Sequence, residues 1–191
     1  GRFQNTGQIC IAAKRIILEK PIAAEFTERF VEAVKVLKMG DPLDESTYIG
    51  PMARADLRAE LHRQVEDTVS AGARLLLGGK PVDGPGSYFQ PTILTGVKPG
   101  MVAFKQETFG PVAALIEADD VEHAIEMAND SEFGLSGALW TTNKELARKL
   151  ARRMETGGVF VNGFSASDPR IPIGGVKKSG YGRELSDYGV H

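Results

Sequence analysis

The sequence lacks features that identify several classes of protein, namely multiple cysteines, long apolar runs and an excess of positive charge. It contains one cysteine in 191 residues, Cys10, so an internal disulfide and a multi-cysteine zinc site are both excluded. No uncharged apolar run approaches the ~20 residues that a membrane-spanning helix needs. Lys and Arg total 23 against 25 Asp and Glu, which lacks the positive excess typical of nucleic-acid binders. We therefore expect no membrane or nucleic-acid partner, and the unpaired cysteine points to the cytoplasm.

The composition that is present is typical of a packed globular protein. Hydrophobic residues make up 42% and charged residues 25% of the chain, and its length suits one domain. Glycine is over-represented at 22 residues, and the excess gathers in residues 78–86 and 174–182, which we predict to be loops. The chain opens with Gly1 rather than Met and shows no signal-peptide pattern, which we interpret as the mark of a fragment.

Hydrophobic spacing predicts strands and helices in alternation. In the first half, a short β-rich run at residues 15–19 precedes a helix from Pro21 that should end at Gly40, and a second helix precedes a strand at residues 74–77. The second half reads as three strands, residues 112–116, 135–141 and 158–162, separated by two helices.

Two capping-box patterns predict where the helices of the second half begin. Asp119 with Glu122 and Thr142 with Glu145 each place an N-cap residue three positions before a glutamate. The resulting β-α-β-α-β order predicts an α/β fold, a three-layer αβα arrangement with a mainly parallel sheet. Ligand sites in such folds collect at the carboxyl ends of the strands.

Cys10 is the first candidate for chemistry, because a thiolate is a strong side-chain nucleophile near neutral pH. Alone it proves little, since a lone cysteine is more often a small buried hydrophobe. Glycine and amide residues precede it at 5–8, and helix-forming residues follow it. This pattern predicts a loop-to-helix junction, where backbone N–H groups would stabilise the thiolate.

The motifs around Cys10 resemble the aldehyde dehydrogenase superfamily. Phe3, Asn5, Gly7, Gln8 and Cys10 are similar to that family's nucleophile segment, and residues 107–112 resemble its E-x-F-G-P-V motif. The resemblance continues in order through residues 129–136, Asn162, Gly174-Gly175 and residues 178–184. It implies Cys10 as the catalytic nucleophile, Glu107 on the nicotinamide-side ribose of NAD or NADP, and Phe109 beside the nicotinamide.

The same resemblance suggests a substrate class. Residues 37–42, 50–57 and 174–185 look most similar to bacterial NAD(P)-dependent succinate-semialdehyde dehydrogenases, so we expect a small semialdehyde to be oxidised to its acid. Some of those enzymes carry an arginine six residues before the nucleophile, where this chain has Gln4. Family positions for substrate contact correspond to Gln4, Ile9, Ile11, Ser165, Ser167 and Arg170.

Several parts of such an enzyme are expected outside this sequence. In the family, the general-base glutamate and the asparagine of the oxyanion hole precede the nucleophile, as does most of the cofactor-binding domain. We therefore interpret residues 1–191 as a single catalytic domain without the cofactor-binding domain or the C-terminal oligomerisation segment. The parent protein is expected to form a homo-oligomer.

Two other functions remain open at this point. A hydrolase or acyltransferase would pair Cys10 with a histidine, and the candidates are His62, His123 and His191. These histidines show no metal-ligand spacing, so we predict no metal. A non-catalytic module is the third possibility, and it is what we expect of the isolated chain.

Overall fold

The computed structural model describes residues 1–190 and divides the chain into two compact units, the first being Gly1–Ala124 and the second beginning at Ile125. The described strands and helices are β1 (Arg15–Glu19), α1 (Lys20–Lys35), α2 (Ala55–Ser70), β2 (Arg74–Leu77), β3 (Thr92–Thr95), α3 (Val102–Lys105), β4 (Val112–Ala118), α4 (Val121–Asn129), β5 (Phe133–Gly134), β6 (Gly137–Leu139), α5 (Lys144–Ala151), β7 (Val159–Val161) and β8 (Val176–Lys177). Their alternation confirms the predicted α/β class.

The first unit is organised around a four-stranded sheet in the order β1-β4-β3-β2. β4 runs parallel to both of its neighbours, with Arg15 opposite Ala114 and Thr92 opposite Val112. β2 is antiparallel to β3 at the edge. The sheet is therefore mixed but mostly parallel, as the sequence predicts.

β4 lies at the centre of the first unit's core. Six of its seven residues are buried, Glu117 being the exception. A continuous apolar run, rather than an alternating one, is typical of a strand that is covered on both faces. Ala113 and Leu115 pack in a cluster with Leu18, Ala23 and other apolar residues of the unit.

Helix α1 ends earlier than the sequence predicts. Pro21 lies in its first turn as expected, but the helix stops at Lys35 instead of continuing to Gly40. The Lys38 carbonyl accepts the N–H groups of Tyr48 and Ile49, at 2.8 and 3.0 Å, and Met39 forms a bridge with Ile49. Pairing with this loop replaces the last helical turn.

The second unit contains two short strand pairs. β6 and β7 are parallel, as predicted, whereas the antiparallel pair β5 and β8 was not foreseen because each has only two residues. The single β-α-β-α-β ladder expected from the sequence is not formed, since β4 pairs in the four-stranded sheet and β6 and β7 pair with each other.

Both predicted N-caps are displaced by one residue. Asp120, not Asp119, accepts the backbone N–H of His123 at 2.9 Å. Asn143, not Thr142, caps α5 by accepting the N–H of Leu146 at 3.0 Å. In both places the expected cap is followed by another short polar residue of a type that also caps helices. The backbone N–H at the start of the helix bonds this second residue instead.

Candidate active site

The turn that carries Cys10 connects a short 3-10 helix, Gln4–Gly7, to β1. The thiol is free and exposed. The predicted loop-to-helix junction is wrong, because residues 11–14 continue through a turn and enter β1 at Arg15. A helix dipole therefore gives the sulfur no support, and its surroundings come from loop contacts.

Backbone strain and side-chain hydrogen bonds fix the segment before Cys10. Asn5 and Thr6 have positive φ values, 48° and 57°, which non-glycine residues seldom adopt. The Thr6 hydroxyl accepts the Gly50 N–H at 3.0 Å. The Gln8 side chain accepts the Ala53 N–H at 2.8 Å and donates to the Pro51 carbonyl at 3.3 Å. Residues 50–53 thus hold this segment in one conformation.

Gly7 brings the cysteine segment against the segment at residues 107–112. Its φ is +71°, and a Cβ built on it would lie 2.2 Å from the Gly110 carbonyl oxygen. Gly110 is equally close to α2, because its own Cβ would lie 2.4 Å from a methyl carbon of Leu61. Glycine at position 7 permits this approach of the two backbones, and the missing Cβ at Gly110 leaves room for the Leu61 side chain.

Arg2 makes a second connection between the same two segments. Its guanidinium is buried, with 4% of the residue exposed, and donates to the carbonyls of Val112 at 2.5 Å, Thr108 at 2.8 Å and Gly110. Burial lowers the Arg2 pKa to about 10, while the Glu107 carboxylate acts in the opposite direction. The cost of burying this charge is offset by its hydrogen bonds to carbonyls.

Lys14 makes the third connection, and it acts on the cysteine turn itself. Its ammonium donates to the carbonyls of Ile9 at 2.7 Å and Cys10 at 3.1 Å. The same nitrogen lies 3.1 Å from Glu107 Oε1 and 5.4 Å from the centre of the Phe109 ring. Burial lowers the Lys14 pKa, and Glu107 opposes that shift.

Glu107 and Phe109 remain accessible to a ligand despite these contacts. The Glu107 side chain is 42% exposed and Phe109 is 40% exposed. Gln64 of α2 donates to the Glu107 carbonyl at 3.3 Å, which supports the segment from the other side. A carboxylate and an aromatic face next to the cysteine turn can accept sugar hydroxyls and cover a flat heterocycle.

Arg2, Lys14 and Gln64 are contributions to the site that sequence reasoning missed. The hydrogen bonds of Arg2 and the ion pair of Lys14 join residues more than 90 positions apart in the chain, so no local pattern signals them. In a single sequence, a charged side chain is by default taken to be exposed to solvent.

The predicted substrate residues near Cys10 belong to the same turn. Gln4 is exposed, while Ile9 and Ile11 flank the cysteine and are half-buried. An exposed amide and two aliphatic side chains next to a thiol suit a small polar aldehyde with an aliphatic chain.

The other predicted substrate residues lie in the second unit, on the loop after β7. Ser165 is buried and its hydroxyl bonds that of Ser136 at 2.7 Å, whereas Ser167 is exposed. Arg170 is exposed, and its guanidinium forms two hydrogen bonds with Asp168, at 2.9 and 2.6 Å. This pair lowers the Asp168 pKa and raises that of Arg170.

The histidines have other partners. His62 lies 3.6 Å from Glu66 on α2 and packs edge-on against Phe89, and His123 lies 3.3 Å from Asp119. His191 lies outside the described residues. Within residues 1–190 no group of three or more His, Cys, Asp or Glu is arranged to hold a metal ion.

In the part of the chain that the structure describes, no helix combines the length and the apolar character needed to cross a membrane.

The chain is similar in sequence and structure to known dehydrogenases. A succinate semialdehyde dehydrogenase of Escherichia coli K12 that uses NAD(P)+ is 62% identical over 191 residues, all of this chain and 41% of that protein. The crystal structure of succinic semialdehyde dehydrogenase from Streptococcus pyogenes with NADP+ has a TM-score of 0.94 and 38% identity, covering 98% of this chain and 42% of that one. For lactaldehyde dehydrogenase from E. coli the TM-score is 0.96 and the identity 34%, with 100% and 40% covered.

This chain spans about two fifths of the length of these relatives. The family model described as the aldehyde dehydrogenase family matches residues 1–191, the whole sequence. The resemblance first read from the cysteine and E-x-F-G-P-V motifs is thereby confirmed, and the chain belongs to the aldehyde dehydrogenase family.

Proposed function

We propose that this chain supplies the nucleophile and the nicotinamide-side contacts of an NAD(P)-dependent dehydrogenase that oxidises succinate semialdehyde to succinate. The observation that carries the proposal is the exposed Cys10 thiol on a turn that Lys14 ties to the segment bearing Glu107 and Phe109. The relatives named for this substrate support the choice of semialdehyde.

The chemistry of Cys10 follows from its exposure and its neighbours. As a thiolate it attacks the aldehyde carbon and forms a thiohemiacetal, and the charge that develops on oxygen needs preorganised donors such as the Cys10 N–H. Loss of hydride from that carbon gives a thioester. Water then cleaves the thioester, releases the acid and returns the thiol, and the general base for this step is expected outside the chain.

Glu107 and Phe109 fit the nicotinamide half of the dinucleotide. The carboxylate presents oxygens that accept two ribose hydroxyls, and the exposed ring offers an apolar face to the nicotinamide. Because both lie on the segment that Arg2 and Lys14 hold, their positions relative to Cys10 are set before any ligand arrives. NAD(P)+, when bound, supplies the hydride acceptor.

Recognition of the substrate carboxylate needs cationic or multiple hydrogen-bond donors. On resemblance to the family we propose as substrate contacts Gln4, Ile9, Ile11, Ser165, Ser167 and Arg170. Arg170 already forms an ion pair with Asp168. To bind the substrate carboxylate, its guanidinium would exchange hydrogen bonds to Asp168 for bonds to the substrate.

The proposal extends to the domain organisation, assembly and compartment of the parent enzyme. We propose that residues 1–191 form one catalytic domain of a longer homo-oligomeric enzyme; the greater length of the relatives, of which the chain covers 41% in the E. coli protein, supports the longer enzyme. A free, exposed cysteine suits a reducing compartment such as the cytoplasm. The 191-residue chain alone is expected to be inactive.

A substrate comparison tests the proposal directly. A full-length aldehyde dehydrogenase carrying this chain as its catalytic segment is assayed for reduced nicotinamide with succinate semialdehyde and with butanal, which has the same number of carbons but no carboxylate. We expect activity with NAD+ or NADP+, a higher kcat/KM for the semialdehyde, and none in the Cys10→Ala variant.

Three results would contradict parts of this proposal. A folded protein inactive with every aldehyde would overturn the dehydrogenase proposal, and equal kcat/KM values for the two substrates would overturn the semialdehyde assignment. Turnover by the 191-residue chain alone would show that the parts assigned to other segments are not needed.

A further inference from the structure

The Lys14 ammonium contacts the cysteine turn and the Glu107 carboxylate together. An ammonium has three N–H donors, and three acceptors surround this one: the carbonyls of Ile9 and Cys10 and Oε1 of Glu107. The aromatic face of Phe109 lies on a further side, 5.4 Å away. Every contact of the ammonium therefore falls on a residue of the proposed nucleophile or dinucleotide segments.

The Lys14–Glu107 ion pair differs from exposed pairs such as Lys35–Glu32 on α1. The Lys14 side chain is only 14% exposed, whereas Lys35, paired with Glu32 at 2.6 Å on α1, is 49% exposed. Exposed pairs contribute little, because water screens them and the side chains lose entropy. A largely buried ammonium with three fixed acceptors keeps its geometry and resists separation from its partners.

We propose that Lys14 is a positioning residue that orients the Glu107 carboxylate for the dinucleotide and holds the Ile9–Cys10 carbonyls, so that the nucleotide contact and the thiol share one rigid support. The inference rests on the proposed function. Lys14 touches neither the aldehyde nor the sulfur in this account. It acts through Glu107 on dinucleotide binding and through the two carbonyls on the cysteine turn.

The two links predict two separate effects of Lys14→Met. Without the ammonium, the carboxylate loses its fixed orientation and must be reordered on binding, so the Kd for NAD(P)+ should rise about tenfold. The cysteine turn also loses two hydrogen bonds and a nearby positive charge. Alkylation of Cys10 by iodoacetamide should therefore slow by about threefold or more.

A double-mutant cycle separates these effects. Dinucleotide Kd is measured by calorimetry without aldehyde, and Cys10 alkylation by mass spectrometry, in the full-length protein and in Lys14→Met, Glu107→Gln and the double variant. In the Glu107→Gln background, Lys14→Met should change Kd by less than about twofold, because the carboxylate it acts through is gone. It should still slow alkylation as much as it does alone.

Two further variants guard against a merely structural effect. Lys14→Arg keeps the charge and should recover part of the dinucleotide affinity, whereas Lys35→Met removes an exposed ammonium of the same type and should change neither measurement. Thermal unfolding of each variant confirms that the protein is folded.

The outcomes distinguish this inference from the function on which it rests. Wild-type protein that binds neither NAD+ nor NADP+ overturns the proposed function, and the inference with it. Normal wild-type binding with an unchanged Kd in folded Lys14→Met overturns the inference alone. So does a full Lys14→Met effect on Kd in the Glu107→Gln background, since Lys14 would then not act through Glu107.

Discussion

Replacing Gly7 by alanine tests the close approach of the cysteine segment to the 107–112 segment. Two costs are expected. The positive φ of +71° penalises any residue with a Cβ by about 1–2 kcal/mol. The new methyl would also lie 2.2 Å from the Gly110 oxygen, where ordinary contact begins at 3.4 Å, so the two backbones must separate by about 1 Å.

The clash of the new methyl group with the Gly110 oxygen is the cost that tests the contact between the two segments. Forcing extra volume between packed backbones costs about 1–3 kcal/mol, which gives a total loss of roughly 2–5 kcal/mol for Gly7→Ala. Gly96 provides the matched control, because its φ is +67° but a Cβ there meets nothing within 4 Å. The loss of unfolding free energy in Gly96→Ala therefore comes from the positive φ alone.

The assay is urea unfolding followed by circular dichroism, with Cys10 alkylation as a local readout. We expect Gly7→Ala to lose about 1–3 kcal/mol more unfolding free energy than Gly96→Ala, and only Gly7→Ala to change the alkylation rate. Equal losses in the two variants would refute the close approach of Gly7 and Gly110 as a constraint on the site.

Three further predictions concern other parts of the fold. Arg2→Met should lower the unfolding free energy by about 2 kcal/mol, because buried carbonyls lose their donor, and urea unfolding will measure it. Asn143→Ala should cost about 1 kcal/mol through loss of the α5 cap, whereas Thr142→Ala should cost less than about 0.5 kcal/mol in the same assay. The hydrogen bond from Lys38 lowers the Asp44 pKa from 3.8 to about 2, so the ionised carboxylate stabilises the fold above pH 3.8 and this contribution is lost as pH falls towards 2. The melting temperature of Asp44→Asn should accordingly lie below that of the wild type at pH 6, and the gap should narrow below about pH 4.

Local sequence patterns predicted the elements that depend on local preferences. Helix α2 and strands β1 and β2 lie where hydrophobic periodicity placed them. Burial does not follow in β2, an edge strand whose residues 74–76 are exposed. The end of α1 was missed because it depends on backbone pairing between Lys38 and Ile49, which hydrophobic periodicity does not signal.

The site shows the same division between local motif and distant contact. Cys10, Glu107 and Phe109 were identified through motifs that resemble a family, and the structure brings the cysteine turn and the carboxylate together through Lys14. Sequence alone suggested a helix after Cys10, since residues 11–14 have helical propensity. The chain forms a turn instead of a helix because the Lys14 ammonium donates to the carbonyls of Ile9 and Cys10, and the next residue begins β1.

The proposed function requires that Cys10 forms the covalent intermediate. The most direct measurement is rapid acid quench of the full-length protein turning over succinate semialdehyde with NAD(P)+, followed by peptide mass spectrometry. We expect a succinyl group on the peptide containing Cys10, absent without dinucleotide and absent in Cys10→Ala. Turnover with no acyl group on Cys10, or an acyl group on another residue, would contradict the account.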